Sequence, residues 1–448
     1  MTDLTKVPRR TFLALGAAIG AGLLTGCGRT SGTASPVSPA SPTTSDTSGG
    51  GELRGAAARM AAAPPAAATE NLCRFGADLF RASAPGTANA VISPYSVLVA
   101  LGMTEFGATG SALAAMTKVL GGDARAVAGQ LTAVDTAIAA AIAGSAKAAE
   151  GSNRRNEAAV VSPANSLFVQ RGTRLRQEFL DAVAAGYGAS LFTTDYRADP
   201  EAARRQINSW VSDKTHELIP ELLGQSSVTN LWRLALVNAL YLKAQWAEQL
   251  QKSVDKTAFH TAAGNSVQVE MLRGPGRHLA VASGDGWRSV SLPYLGDRLA
   301  MTILLPDAGA FDKVAGALDG RTLAAACGGE NTLVDLAMPG FKTDFPVDMT
   351  GPLKKLGLAP AFDVPMPGMS DGPEPLLVTS VIHQARISVD EHGTEAAAAT
   401  AVIAVAGAAP GPPSQPLEFT VDRPFLYVIH DTTTRAPLFL GRVGDPTA

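Results

Sequence analysis

With 448 residues, 46% of them hydrophobic, and a formal net charge of −3, the chain is long enough for one large domain with a substantial core. No basic stripe interleaved with aromatics is present, which leaves nucleic-acid binding without electrostatic support. The three cysteines, Cys27, Cys73 and Cys327, are too few and too scattered for a disulfide framework or a metal site. Cys73 and Cys327 are therefore expected as free buried thiols, and no metal or cofactor is expected.

The chain begins with an address. Arg9-Arg10-Thr11-Phe12-Leu13 is a twin-arginine pattern, and residues 12–24 form an apolar run of signal-peptide length, too short to span a bilayer. The run ends in Leu24-Thr25-Gly26-Cys27, which resembles the lipobox of bacterial lipoproteins, so Cys27 is the expected lipidation site. A multiply acylated cysteine anchors stably, at ~0.8 kcal/mol for each CH₂ buried in lipid. Lys6 and the two arginines also suit the general export route, and both routes stay open. Residues 28–65 are Ser, Thr, Pro, Ala and Gly with almost no large apolar side chain, a composition that cannot offset the entropy of ordering. The expected organisation is a signal over residues 1–26, a flexible tether over 27–66 and a folded body over 67–448. The body would then stand on the outer face of the cell membrane.

In the body, apolar spacing predicts helices over 70–81, 97–106, 113–120, 133–149, 177–187 and 201–223, the last despite Pro220. Strands are predicted over 165–170, 234–242, 267–271, 287–293, 299–305, 334–338, 378–389 and 425–430. Helices first and strands afterwards point to an α+β fold. Enzyme motifs fail on context. Gly368-Met369-Ser370-Asp371-Gly372 matches a hydrolase elbow, but Pro365, Pro367, Pro373 and Pro375 block the strand and helix it requires. Ser253-Val254-Asp255-Lys256 lacks its companion motifs, and the six histidines form no metal-binding pair.

The most informative segment is Glu391-His392-Gly393-Thr394-Glu395-Ala396-Ala397-Ala398-Ala399-Thr400, followed by a β-prone run over 401–406 and then by Pro410, Pro412 and Pro413. It reads as a long exposed loop whose first half can become a strand. This segment resembles the hinge of the serpin family. Phe419-Thr420-Val421-Asp422-Arg423-Pro424-Phe425-Leu426 with Phe439-Leu440-Gly441-Arg442-Val443 is similar to its C-terminal signature. Val91-Ile92-Ser93-Pro94-Tyr95-Ser96-Val97, Ile207-Asn208-Ser209-Trp210-Val211 and Leu236-Val237-Asn238-Ala239-Leu240-Tyr241-Leu242-Lys243 match upstream blocks in family order.

The resemblance implies helices packed on a large mixed β-sheet, two smaller sheets and an exposed reactive-centre loop. It implies a monomer that is not an enzyme but a suicide inhibitor. A serine-type protease cleaves the loop, becomes trapped as an acyl-enzyme in a one-to-one covalent complex, and is distorted as the loop enters the main sheet. Thr394, Ala396, Ala398 and Thr400 would share the inward face and Glu395, Ala397 and Ala399 the other, with Gly393 as pivot. By the same resemblance, Ser93, Ser96, Asn238 and His383 form a polar cluster governing sheet opening, and insertion begins at Trp246 and Glu391.

Counting the family's spacing from Glu391 puts the scissile bond at Gly407-Ala408. Counting back from Phe419 puts it near Pro413. Ala404, Val405 and Ala406 are alternatives. Small residues here fit the shallow pockets of elastase- and subtilisin-like proteases. Two positions depart from the family pattern: Ala244 stands where glycine is usual, and Gly340 where a lysine would pair with Glu391. Loss of that pair is expected to ease sheet opening and favour polymerisation or passage to a latent form. The rival readings are a non-inhibitory serpin and an unrelated solute-binding lipoprotein.

Overall fold

Prolines and capping side chains set the helix starts in the first half of the body. The structure, a computed structural model, describes residues 51–151, 156–395 and 415–448. Pro65–Ser83 and Pro94–Glu105 both open on proline, where the helix has no use for an amide donor. In the second, the Ser93 hydroxyl accepts from the Ser96 amide, and every residue is buried, so this helix is the centre of the core. Gly110–Leu120 ends on Gly121 in the left-handed conformation, and Ala124–Glu150 restarts on Asp123, which accepts the Arg125 and Ala126 amides. The helix predicted over 201–223 is shorter, Pro200–Lys214. His216 and Glu217 turn the chain through positive φ beyond it, so Pro220 never enters a helix.

Among the described residues the central sheet has seven strands, in the order Glu52–Leu53, Leu191–Thr194, Val160–Gln170, Leu234–Gln245, Gly393–Thr394, Ser380–Val389 and Phe341–Asp348. It is mixed. Val160–Gln170 lies antiparallel to Leu234–Gln245, with Asn165 opposite Asn238, and Ser380–Val389 lies parallel to it, with His383 opposite the same Asn238. Leu234–Gln245 is buried throughout except at Lys243, as expected of a strand covered on both faces.

The second sheet has nine strands among the described residues. The two smaller sheets expected are continuous here because Ser266–Gly284 serves both. Its first part pairs with Gln251–His260, its end with Trp287–Pro293, and Glu330–Pro339 spans the two. Gln251–His260 is absent from the predicted strands because its residues are mostly polar and exposed, with Phe259 alone fully buried. Phe341–Asp348 carries Pro346, which the sheet tolerates because this strand is its edge.

Part of the segment whose composition reads as a free tether is held on the body. Glu52 and Leu53 pair with Phe192 and Leu191, the Met60 amide donates to the Ala185 carbonyl, and the Ala63 amide to that of Gly129. Arg59 meets Asp135 at 2.6 Å. An open sheet edge supplies backbone partners that apolar content cannot reveal. The signal region and Cys27 lie outside the described residues.

Candidate functional site

The upper end of the central sheet, near Gln245, is a wedge. Gly393 pairs with Gln245 and Thr394 with Ala244 on one side, and Thr394 pairs with Val389 on the other. The start of the predicted hinge is therefore already between two strands rather than in solvent. Gly393 acts by close approach more than as a pivot: a Cβ there would lie 2.1 Å from the Ala244 carbonyl oxygen. The residues before it are gripped through three successive carbonyls. Trp246 Nε1–H donates to Asp390 O, the Leu250 amide to Glu391 O and the Trp246 amide to His392 O, each at 2.9 Å. Asp390 Oδ1 accepts the His392 and Gly393 amides and closes the turn.

Thr394 is 0% exposed and its hydroxyl lies 2.6 Å from the Tyr294 hydroxyl, whose ring stacks on Trp246 at 4.6 Å. The inward orientation predicted for Thr394 is the one observed. Tyr294 was missed in the sequence: it lies in a turn after Pro293, and only the fold brings it to the hinge. Burial pushes the Glu395 carboxyl up to about 7, against the pull of Arg386, Lys243 and Lys342.

Glu391 does not lack a cation. Lys252 Nζ lies 3.1 Å from Glu391 Oε1, so a lysine from Gln251–His260 fills the role expected to be vacant at Gly340. The expectation of easier sheet opening loses its physical basis. Burial raises the Glu391 carboxyl, but a backbone hydrogen bond and Lys252 outweigh it, and the net shift is downward from 4.5.

Farther down, Ser93, Ser96, Asn238 and His383 come together beneath the sheet. The Ser93 amide donates to His383 Nε2 at 2.9 Å, which makes that nitrogen the acceptor; Nδ1 therefore carries the proton and donates to Asn238 Oδ1 at 2.5 Å. Burial pushes the His383 pKa down to about 3, so the ring is neutral. Ser96 Oγ and Asn238 Nδ2 have no partner among the described residues. The remaining predicted positions, 396–400 and Ala404, Val405, Ala406, Gly407 and Ala408, lie outside the described residues.

The rejected enzyme motifs stay rejected on geometry. Ser370 donates to the Arg174 carbonyl in a loop, and Ser253 to that of Asp255. Cys73 and Cys327 are free and buried, and burial pushes the Cys73 thiol up to about 12.

The segment that resembles a serpin hinge thus begins as a short strand, Gly393–Thr394, between two strands of the main sheet. Residues 70–446 match the family described as Serpin (serine protease inhibitor), and the chain belongs to that family, which is one of inhibitors and not of enzymes. An uncharacterized serpin-like protein of Thermococcus kodakarensis is 34% identical over 384 residues, covering 83% of this chain and 84% of the relative. A leukocyte elastase inhibitor of Equus caballus is 31% identical, covering 83% and 97%. Among solved structures, a thermophilic serpin, tengpin, in the native state superposes with a TM-score of 0.74 at 25% identity, covering 88% of this chain and 97% of that one.

Proposed function

We propose that this serpin is an inhibitory one, which traps elastase- or subtilisin-like proteases as acyl-enzymes by completing the strand that Gly393 and Thr394 begin. The single observation that carries the reading is the position of those two residues, hydrogen-bonded between Leu234–Gln245 and Ser380–Val389. The residues after Glu395 are small or β-branched as far as Gly407, so nothing in their chemistry resists burial. The protease serine attacks the Gly407 carbonyl, forms an ester and releases the Ala408 amine. Insertion of about a dozen residues, at ~0.5–1.5 kcal/mol net per backbone hydrogen bond, then supplies on the order of 10 kcal/mol, enough to distort a marginally stable protease. In this reading Trp246, Glu391 and Tyr294 mark where insertion starts, and Ser93, Ser96, Asn238 and His383 hold the strands that must part. Four relatives, each matching 83% of this chain, are named leukocyte elastase inhibitors, which supports the target class. The Leu24–Cys27 sequence supports export and a lipid anchor on Cys27.

The test is incubation with elastase, subtilisin and trypsin, followed by a denaturing gel and mass spectrometry. Expected is a boiling-resistant adduct with the first two, cut at Gly407-Ala408, and a large rise in melting temperature after cleavage of the loop by a non-target protease. Cleavage without adduct and without that rise returns the protein to the non-inhibitory reading.

A further inference from the structure

The hinge leaves the central sheet at Glu395, under two constraints. The Glu395 amide still donates to Ser388 O at 2.9 Å, one ladder step beyond Thr394, yet its φ of +52° turns the chain away in a conformation that non-glycine residues rarely adopt. Thr394 points inward, so strand alternation sends the Glu395 side chain to the outer face of the sheet, where the residue is half-buried. On that face Leu234–Gln245 presents Tyr241 and Lys243, Ser380–Val389 presents Arg386, and Phe341–Asp348 presents Lys342 and, opposite Arg386, Asp344. His216, from the turn after Pro200–Lys214, lies over Tyr241 with ring centroids 4.9 Å apart. The nearest cations are engaged elsewhere: Lys243 Nζ lies 2.5 Å from Glu157 Oε2, and Arg386 Nη1 donates to Leu218 O at 3.3 Å. Asp344 accepts from Gln384 at 2.6 Å. No ion pair or side-chain hydrogen bond holds the Glu395 carboxylate among the described residues. A half-buried carboxyl without a partner is accommodated best as the neutral acid.

We infer that Glu395 is a proton-operated catch for the hinge: as the neutral acid it lets Gly393 and Thr394 stay between their two strands, and as the carboxylate it draws them out toward solvent. The sign follows from linkage. Docked, the carboxyl is pushed up to about 7; released into water, it returns to its ordinary 4.5. The docked hinge therefore binds the proton more tightly than the released one. Its added stability is full below 4.5 and is lost as pH rises through 7. The catch needs no protease and does not rest on the inhibitory reading.

Hydrogen exchange on the intact protein reads the release at the Trp246 and Glu395 amides, which donate to His392 O and Ser388 O. Their protection, taken relative to unstructured peptide at each pH, should fall roughly fivefold or more between pH 5 and pH 8. Glu395→Gln, neutral and of the same shape, should show at pH 8 the protection that the wild type shows at pH 5, with no slope between. His392, whose ring lies 3.5 Å from Glu391, is the other side chain on this turn that changes charge near neutrality, so His392→Gln is made alongside and should keep the wild-type slope. A flat wild-type profile, a slope that persists in Glu395→Gln, or a slope abolished by His392→Gln overturns the inference. Failure to trap any protease with the slope intact would fail the inhibitory reading alone.

Discussion

From Ala235 opposite Ser380 to Leu240 opposite Ala385, the Leu234–Gln245 and Ser380–Val389 strands pair directly, whereas at Ala244 and Gln245 the hinge residues stand between them. The two ends of one strand pair thus meet different demands. The lower end is closed by backbone ladder and by a neutral histidine joined to both Asn238 and Ser93. The upper end is held apart by Gly393 and Thr394, which occupy ladder positions between the two strands. In the proposed reading, a strand entering from the top meets the direct ladder first at Leu240 and Ala385, passes His383, and meets it last at Ala235 and Ser380. On that reading, insertion would set new backbone hydrogen bonds above against the parting of an existing ladder below.

The sharpest way to break this comparison is to stop the wedge. Thr394→Arg would place a charge where the hydroxyl now meets Tyr294 in a fully buried position. An unpaired buried charge costs several kcal/mol, so the hinge would be expelled rather than accommodate it. The expected outcome is complete loss of the covalent adduct with cleavage of the loop retained, read on the same denaturing gel. Thr394→Ser, which keeps the hydroxyl, should trap normally. An adduct at wild-type yield from Thr394→Arg would mean that the observed wedge is not the path of insertion.

The lower end is tested through His383. His383→Leu removes both hydrogen bonds and leaves the Ser93 amide and Asn238 Oδ1 unpaired, at ~1–3 kcal/mol for each orphaned group. Urea unfolding at neutral pH reads this loss. The pH dependence has a definite sign. The folded pKa of about 3 lies below the ordinary 6.5, so on acidification the unfolded chain takes up the proton first. The contribution is full above about 6.5 and declines as pH falls toward 3. His430, pushed down to about 4 by burial in the second sheet, gives a slope of the same sign. The wild type should therefore lose stability on acidification faster than His383→Leu, which keeps only the His430 part. Parallel curves for the two proteins would remove His383 as a neutral lock. A smaller effect is expected at the wedge from Trp246→Phe, which keeps an aromatic ring, though a smaller one, and deletes the donor to Asp390 O. The loss should be ~0.5–1.5 kcal/mol, with faster spontaneous loss of inhibitory activity on storage.

What could be read in advance divides along the same line. The hinge was legible because its logic is local: Gly393, Thr394 and the small residues after them are contiguous, and strand alternation assigns Thr394 inward. The polar cluster was legible only through family resemblance, since Ser93, Asn238 and His383 come from a cap and two strands with nothing local to join them. Lys252 and Tyr294 were not legible. One lies in a strand with no apolar alternation, the other in a turn, and tertiary pairing alone brings them to the hinge. The docking of residues 52–63 was not legible for a related reason: Glu52 and Leu53 are held by hydrogen bonds to an open strand edge. Helix starts at Pro94 and Asp123 follow from chemistry carried within one turn, whereas the overextension to 223 came from following apolar spacing past a backbone that turns through positive φ.

Lys252 and Glu391 define the smallest effect, which bears on whether the wedge is held by charge or by backbone. The lysine side chain is 52% exposed and the carboxylate 21%, so solvent screens the pair and its worth is ~0–1 kcal/mol. Lys252→Met keeps the aliphatic stem and removes the charge. Because Glu391 is shifted downward, its contribution is present above the ordinary value of 4.5 and fades as pH falls below it. The variant should therefore differ from wild type by less than 1 kcal/mol at pH 7, less still at pH 4, and less in high salt than in low. Incubation at mild heat followed by size exclusion reads the same question as polymer formation. If Lys252→Met polymerises many times faster than wild type, the ion pair, and not the three carbonyls gripped by Trp246 and Leu250, is what keeps the upper end from opening further. Near-equal rates would assign that role to the backbone.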